Sequence, residues 1–333
     1  MASLKDVAKL AGVSLMTVSR AINEPGKLRE DTYRRVKQAI DRLEYVPDLS
    51  ARRIRGDGGR IQTIGVLALD TATTPFSVEM ILSIEKTARE HGWHSFVVNL
   101  FADESADKTV DLLLAHRPDG VIFTTMGLRE VTIPAKLLDK RLVLANCVSA
   151  DQPVASYIPD DEQGQYDAMR ALIAKGYRAP LCIHLPENTL ASGLRRRGLE
   201  RAWQEAGGSL SQLKQYHLDL TGGDAHYRDC MAWLTRHFAP GRAECDVVIC
   251  GNDRVAFLVY QMLLAQGWNI PQQVAVLGYD NMVGINQLFQ PPLTTVQLPH
   301  YELGRQAALH LIEQREHRDP VKVPCPLLLR ESL

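Results

Sequence analysis

The stretch GVSLMTVSRAIN, Gly12 to Asn23, decides how the first part of this chain is read. Gly12 breaks what precedes it, and Ser14 has the side chain of an N-cap for a helix over 15–23. At about 100° per residue, Val18, Ala21 and Ile22 form that helix's inward stripe. Met16 falls roughly opposite, beside Arg20 and Asn23. Leu15 lies angularly close to Ile22, so periodicity alone would bury it.

Upstream, Leu4, Val7, Ala8 and Leu10/Ala11 recur with the spacing of one helix face, ending at Gly12. Downstream, EPGKL (24–28) interrupts the chain, and a third helix is expected over 30–44 with Val36, Ala39, Ile40 and Leu43 on one face. Two short helices joined through a glycine turn, with a third behind, are the parts of a helix-turn-helix unit. A plain three-helix cap is the competing reading. Against it, Thr17, Ser19, Arg20 and Asn23 are residue types that bond phosphates and base edges, with Ser14 at the same helix start.

Charge supports a polyanion partner at this end. Residues 1–60 hold 13 Lys and Arg against 8 Asp and Glu, whereas the formal net charge of the whole chain is −1. A basic head therefore precedes an acidic body. YVPDLSARRIRGDGG (45–59) follows, beginning with Tyr45. Pro47 stops the third helix, 49–55 could form one or two turns, and GDGG reads as a flexible joint. So short a helix is marginal alone and needs its twin or a DNA minor groove. Ala51 is among its small residues and Ile54 is the candidate apolar wedge, the bland reading being a linker with one incidental apolar residue.

From Ile61 the pattern changes. TIGVLAL, SFVVNL, GVIFTT and RLVLAN alternate with helical stretches, and PLCIHL, KQYHLDL, CDVVICG and QVAVLGYD do so again. Repeated strand–helix units imply parallel sheets covered on both faces, hence two Rossmann-like lobes with a cleft between them. Ligands in such sheets sit beyond the strands' carboxyl ends, which directs attention to 70–76, 124–126, Asn146, 186–195, 252–253 and 280–281. No glycine-rich phosphate loop follows any strand, so no nucleotide cofactor is expected.

The chain does not read as an enzyme. It has no G-x-S-x-G elbow and no HExxH, and its ten histidines are scattered rather than set at metal-ligand spacing. Asp70, Asp160 and Asp280 could in principle supply a pair of carboxylates for glycoside chemistry, but nothing specifies that arrangement. The six cysteines, Cys147, Cys182, Cys230, Cys245, Cys250 and Cys325, form no CxxC pair and read as buried reduced thiols. No metal is expected. With no apolar leader segment and no run of about 18 apolar residues, the expectation is a cytoplasmic protein with no membrane partner.

LKDVAKLAGVSLMTVSRAIN, YVPDLSARRIR and the body together resemble the family of the lac and purine repressors. That resemblance covers essentially the whole chain. It implies a helix-turn-helix headpiece at 1–46, a hinge helix and linker at 47–60, and a periplasmic-binding-protein-like effector domain. The expected N-lobe is 61–159 and 293–320, the C-lobe 160–292 and 321–333. Chain crossings are expected near 159–162, 290–293 and 320–324, with QPPLTTVQLPH as the second. The resemblance also implies that the first residues of the second helix read bases, so Leu15 as well as Met16 is assigned to DNA. Two departures are Ile54 in place of the usual wedge leucine and Asp48 in place of the usual Asn.

For the effector cleft, the same resemblance implies that Asp280 in LGYDN grips the ligand with Arg195 in ASGLRRRG. Asn252 follows a strand in CGNDRVA, and Pro75 and Phe76 lie in the loop TPFS (74–77). Asn146 joins them. Asp280 could instead be a helix N-cap, Asp253 is taken as one, and Arg196 and Arg197 as solvated helix charges. DTATTPFSV, LLAHRPDG, TTMGLR and CDVVICGNDR are similar to the branch of the family that answers to sucrose. This implies sucrose or its fructose part as inducer, other sugars next, and a purine-type corepressor last, since Ser77 beside Phe76 makes no aromatic sandwich. With no leucine heptad after PLLLRESL, a homodimer on operator DNA is expected.

Overall fold

The computed structural model describes residues 2–46, 62–70, 75–101, 105–221, 223–239 and 242–333, without the side chains of Asn23, 75–77, 224 and 225. The chain divides into two compact units, 1–62 and 63–333.

The first unit is built from α1 (Leu4–Ala11), α2 (Leu15–Asn23) and α3 (Glu30–Arg42). Ser3 and Asp6 cap α1 reciprocally, and Gly12 ends it in the left-handed conformation at φ 64° that glycine tolerates without strain. Val7, Ala8, Ala11, Val18, Ala21, Val36 and Ala39 are buried together as its core. These small side chains let three short helices approach closely. Helix α3 ends two residues before the expected 44, and Tyr45 packs partly buried against this core.

The second unit holds two six-stranded sheets. The N-lobe sheet contains β1 (Thr63–Leu69), β2 (His94–Leu100), β3 (Gly120–Val131), β4 (Leu142–Ser149), β5 (Ser156–Pro159) and a late strand, Pro320–Val323. All its pairings are parallel. The spatial order is late strand, β5, β4, β3, β1, β2. Side chains alternate between faces. Ile64, Val66, Ile122 and Val143 lie under α4 (Pro75–Glu90) and the late helix His300–Ile312, while Leu67, Val121, Phe123 and Leu144 lie under α5 (Ala106–Ala115).

The C-lobe sheet contains β6 (Pro180–His184), β7 (Lys214–His217), β10 (Val247–Cys250), β11 (Ala275–Asp280), β12 (Thr294–Gln297) and β14 (Leu327–Leu328). Its order is β14, β12, β11, β10, β6, β7, and only β14 is antiparallel to its neighbour. Helices α6 (Asp161–Ala174) and α7 (Leu190–Glu205) cover one face and α9 (Asp253–Ala265) the other. Between β7 and β10 stand a short helix, α8 (Asp229–Thr235), and the two-residue strands β8 (Phe238–Ala239) and β9 (Arg242–Ala243). The late helix is α10 and the late N-lobe strand β13.

Two lobe boundaries differ from the sequence expectation. Residues 294–297 belong to the C-lobe, where β12 pairs with β11, so the second crossing lies at 298–300 rather than 290–293. The Pro-Pro pair marks only the turn that feeds β12. The third crossing lies after Val323, because β13 pairs with β5 throughout Pro320–Val323. Residues 321–323 are therefore N-lobe, and 293–299 are not.

Candidate functional site

In the headpiece, Ser14 accepts a hydrogen bond from the Thr17 N–H at 3.1 Å and meets the Thr17 hydroxyl at 2.9 Å. The cap fixes where α2 begins, and with it where the first two side chains point. Leu15 is 47% exposed and Met16 69%, while Val18 is fully buried. The burial that periodicity alone gives Leu15 does not occur. Side chains in a helix's first turn lean towards its N-terminus, which carries Leu15 past the core that holds Val18. Leu15, Met16, Arg20 and, in part, Thr17 and Ser19 thus form an open face at one end of α2. Ala51 and Ile54, with the whole hinge at 47–60, lie outside the described residues.

The second unit has a cleft of about 850 Å³ lined by both lobes. The N-lobe contributes Met126, Arg129, Glu130 and Asn146 among others; the C-lobe contributes Asp161, Arg195, Tyr227, Asn252 and Asp280. Strand β3 carries a bulge between Thr124 and Arg129. Asn146, in the left-handed region at φ 61°, donates its amide to the Thr125 carbonyl at 3.1 Å across that bulge. Its first task is therefore to hold the cleft wall.

Arg195 is the centre of the C-lobe wall. Helix α7 presses on α6 at Gly198, where any Cβ would strike the Glu162 carbonyl. That close approach brings Arg195, one turn earlier, onto Asp161: Nε to Oδ1 is 2.7 Å. Nη1 donates to the Gly251 carbonyl at 2.7 Å and lies 3.7 Å from Asp280 Oδ1, and the guanidinium sits 3.6 Å above the Tyr279 ring. Burial works against the Arg195 charge, but Asp161, Tyr279 and Asp280 outweigh it and hold the group protonated. Asp280 ends β11 at φ 113°, a strained conformation typical of binding sites. Burial raises its carboxyl well above the ordinary range; Arg195 pulls the other way, and Asp253 and Asp161 add to the rise. No helix begins at Asp280, so it is not an N-cap.

The helix cap is Asn252, not Asp253. Asn252 Oδ1 accepts from the Val255 N–H at 3.0 Å, and its amide donates to the Tyr227 hydroxyl at 2.9 Å. Asp253, fully buried, accepts from the Met282 N–H and the Thr295 hydroxyl, both at 2.7 Å, and ties α9 to β12. Burial pushes its pKa up to about 6 against those two bonds. Either residue type caps helices well, and sequence alone does not choose between neighbours.

Pro75 and Phe76 fall in the first turn of α4, and their side chains lie outside the described residues. Asp161 was missed in the sequence: it stands at a crossing that was located, but its partner is 34 residues away. Asp161 Oδ2 is buried with no hydrogen-bond partner among the described residues, an unsatisfied acceptor beside Arg195. Of the three carboxylates weighed for glycoside chemistry, Asp280 alone lines the cleft; Asp160 pairs with Lys322 and Asp70 with Arg129. The six cysteines are free and buried, and burial pushes the Cys147 thiol up to about 12. Among the described residues no helix is long and apolar enough to cross a membrane.

A helix-turn-helix unit followed by two Rossmann-like lobes around a cleft with a buried Arg–Asp network defines a ligand-responsive bacterial regulator, and the chain belongs to the LacI family. Residues 3–48 match the family described as bacterial regulatory proteins, lacI family, and 62–331 match the periplasmic binding proteins and sugar binding domain of LacI family. Among individual proteins, the chain is 56% identical over 332 residues to the sucrose operon repressor of Escherichia coli, covering 100% of both. It is 30% identical over 325 residues to the HTH-type transcriptional repressor PurR of Aliivibrio fischeri, covering 96% of this chain and 93% of that one. The fold is also that of the lac repressor dimer bound to operator and the anti-inducer ONPF, with TM-score 0.80 at 22% identity over 99% of this chain and 98% of that chain.

Proposed function

We propose that this chain is a sugar-responsive, operator-binding repressor of the cytoplasm and not an enzyme, with sucrose or its fructose part as inducer. The observation that carries the reading is 56% identity to a sucrose operon repressor over the full length, headpiece and cleft together. The exposed tip of α2, with Leu15 and Met16, enters the major groove, where apolar contact with thymine methyls and bonds from Thr17, Ser19, Arg20 and Asn23 read the sequence. Residues 47–60 pair with their twins in the minor groove, Ala51 close to the DNA and Ile54 as the wedge. Tyr45, packed on the headpiece core, contacts the backbone.

In the cleft, Arg195, Asp280 and Asp161 take sugar hydroxyls; a guanidinium donates and a carboxylate accepts, so a vicinal diol satisfies both. Asn146 and Asn252 orient it, Tyr227 offers an apolar ring face, and Pro75 and Phe76 complete the N-lobe side. Ligand that closes the lobes shifts how two copies sit together and releases the paired hinges, a coupling of about 1–3 kcal/mol. Dimerisation uses the apolar groove along α9, where Phe257 is 47% and Leu288 77% exposed. The test is fluorescence anisotropy on a palindromic operator at fixed salt, with and without a panel of sugars. Operator preference over random DNA, relieved by sucrose, is expected; binding without sequence preference would overturn the repressor, and relief by a different sugar alone would overturn the inducer.

A further inference from the structure

The N-lobe has a second concavity, of about 540 Å³, at the other end of its sheet from the cleft. Its lining comes from the residues just ahead of β4, β5 and β13 and from the end of α10, so it opens at the strands' amino ends. Thr63, the first residue of β1, lies at that same end of the sheet.

Four permanent cations line it, Lys140, Arg141, Arg315 and Arg318, against one lining carboxylate, Glu316. His310 and His317 also line it. Part of this charge has a local use. Arg141 donates to the Leu311 carbonyl at 2.5 Å at the end of α10, and Arg315 Nε pairs with Glu313 at 2.9 Å. Among the described residues Lys140 and Arg318 serve no such carbonyl.

The floor is rigid. The Tyr157 hydroxyl, almost wholly buried, accepts from Arg315 Nη1 at 2.9 Å and lies 3.3 Å from His310 Nδ1 and 3.0 Å from His317 Nε2. Arg315 Nη1 also donates to Gln306 at 2.7 Å. These bonds lock the guanidinium plane and leave Nη2 out of them. Burial first, and then the neighbouring His317, Arg315 and Arg141, together lower the His310 pKa to about 4. Like charges held together in a concave, polar site repel one another unless an anion enters. Planar guanidinium groups suit phosphoryl oxygens, which they bind through paired N–H donors.

We propose that this pocket is an anion site for a phosphoryl group, either free phosphate or the phosphate end of a small metabolite, held by Arg141 and Arg315 with Lys140 and Arg318 at the rim. It is separate from the sugar cleft and does not depend on the identity of the inducer.

The test uses the full chain, titrated with inorganic phosphate and with a hexose 6-phosphate at constant ionic strength, followed by calorimetry and 31P linewidth. Saturable binding of one phosphoryl group per chain is expected. Tighter binding of the ester points to a metabolite, and equal binding to free phosphate. Arg141→Gln should weaken it about tenfold or more. Because Arg315→Gln breaks the Tyr157 network and can unfold the lobe, Lys140→Gln with Arg318→Gln supplies the second variant, on exposed positions that folding tolerates. The proposal fails if sodium chloride reproduces the signal, if no saturation is seen, or if the variants bind as the parent does. It also fails if the rim variants lose operator affinity and not phosphate binding, since the cations would then serve the DNA backbone.

Discussion

The headpiece and the effector cleft present their functional groups in opposite ways. On α2 the groups that face outward are anchored by one cap and a small apolar core, and Leu15 and Met16 stand in solvent. In the cleft the charges are buried and set against one another, Arg195 bonded to Asp161 and to the Gly251 carbonyl and lying 3.7 Å from Asp280. An exposed side chain can be truncated without harming its fold, whereas a buried charge network cannot. Recognition and stability are therefore separable in one unit and fused in the other.

The sharpest way to break this contrast is Arg195→Leu. Removing one partner of a buried pair costs about 3–5 kcal/mol, so urea unfolding followed by tryptophan fluorescence should show a large loss together with failed sugar response. A loss below about 1 kcal/mol, the range of an exposed pair, would mean that the network contributes little. Next, Met16→Ala and Leu15→Ala should each weaken operator binding by about 1–3 kcal/mol in anisotropy titrations and leave headpiece melting unchanged. A melting defect in Leu15→Ala would return that residue to the core. Ser14→Ala should cost the headpiece about 1 kcal/mol, seen by circular dichroism of the full chain, because Thr17 loses its acceptor.

The smallest effect separates the units by pH. All ten histidines lie beyond residue 62. Burial lowers His184, His300 and His310 to about 4 from an ordinary 6.5. The unfolded chain takes up protons that the folded effector domain refuses, so this stability is complete above pH 6.5 and falls as pH drops towards 4. Asp253, raised to about 6, works in the opposite sense below that pH. Between pH 7 and 6 the effector domain should therefore lose melting temperature while the headpiece holds; equal behaviour would show that these histidines do not stay neutral.

The headpiece was largely legible because helix period, cap residue and glycine stop are local signals. The two-lobe fold followed from alternating strand and helix patterns. Legibility failed where partners are distant or equivalent. The sequence reading places residues 294–297 in the N-lobe, just past the expected crossing at 290–293, yet Thr294 and Thr295 are buried in β12 of the C-lobe. Asp161 carries no local mark, and its role appears only when Gly198 lets two helices touch. Asn252 and Asp253 are interchangeable on paper, and hydrogen-bond geometry alone assigns the cap.

The three crossings between lobes have a consequence during synthesis. The N-lobe sheet lacks its last strand until Val323 has been added, although its first five strands are complete at Pro159. At translation rates of about 5–20 residues per second, that half-built sheet waits for roughly ten to thirty seconds. All three headpiece helices have left the ribosome well before then. A nascent chain therefore owns its reading head long before it owns the compartment that regulates it.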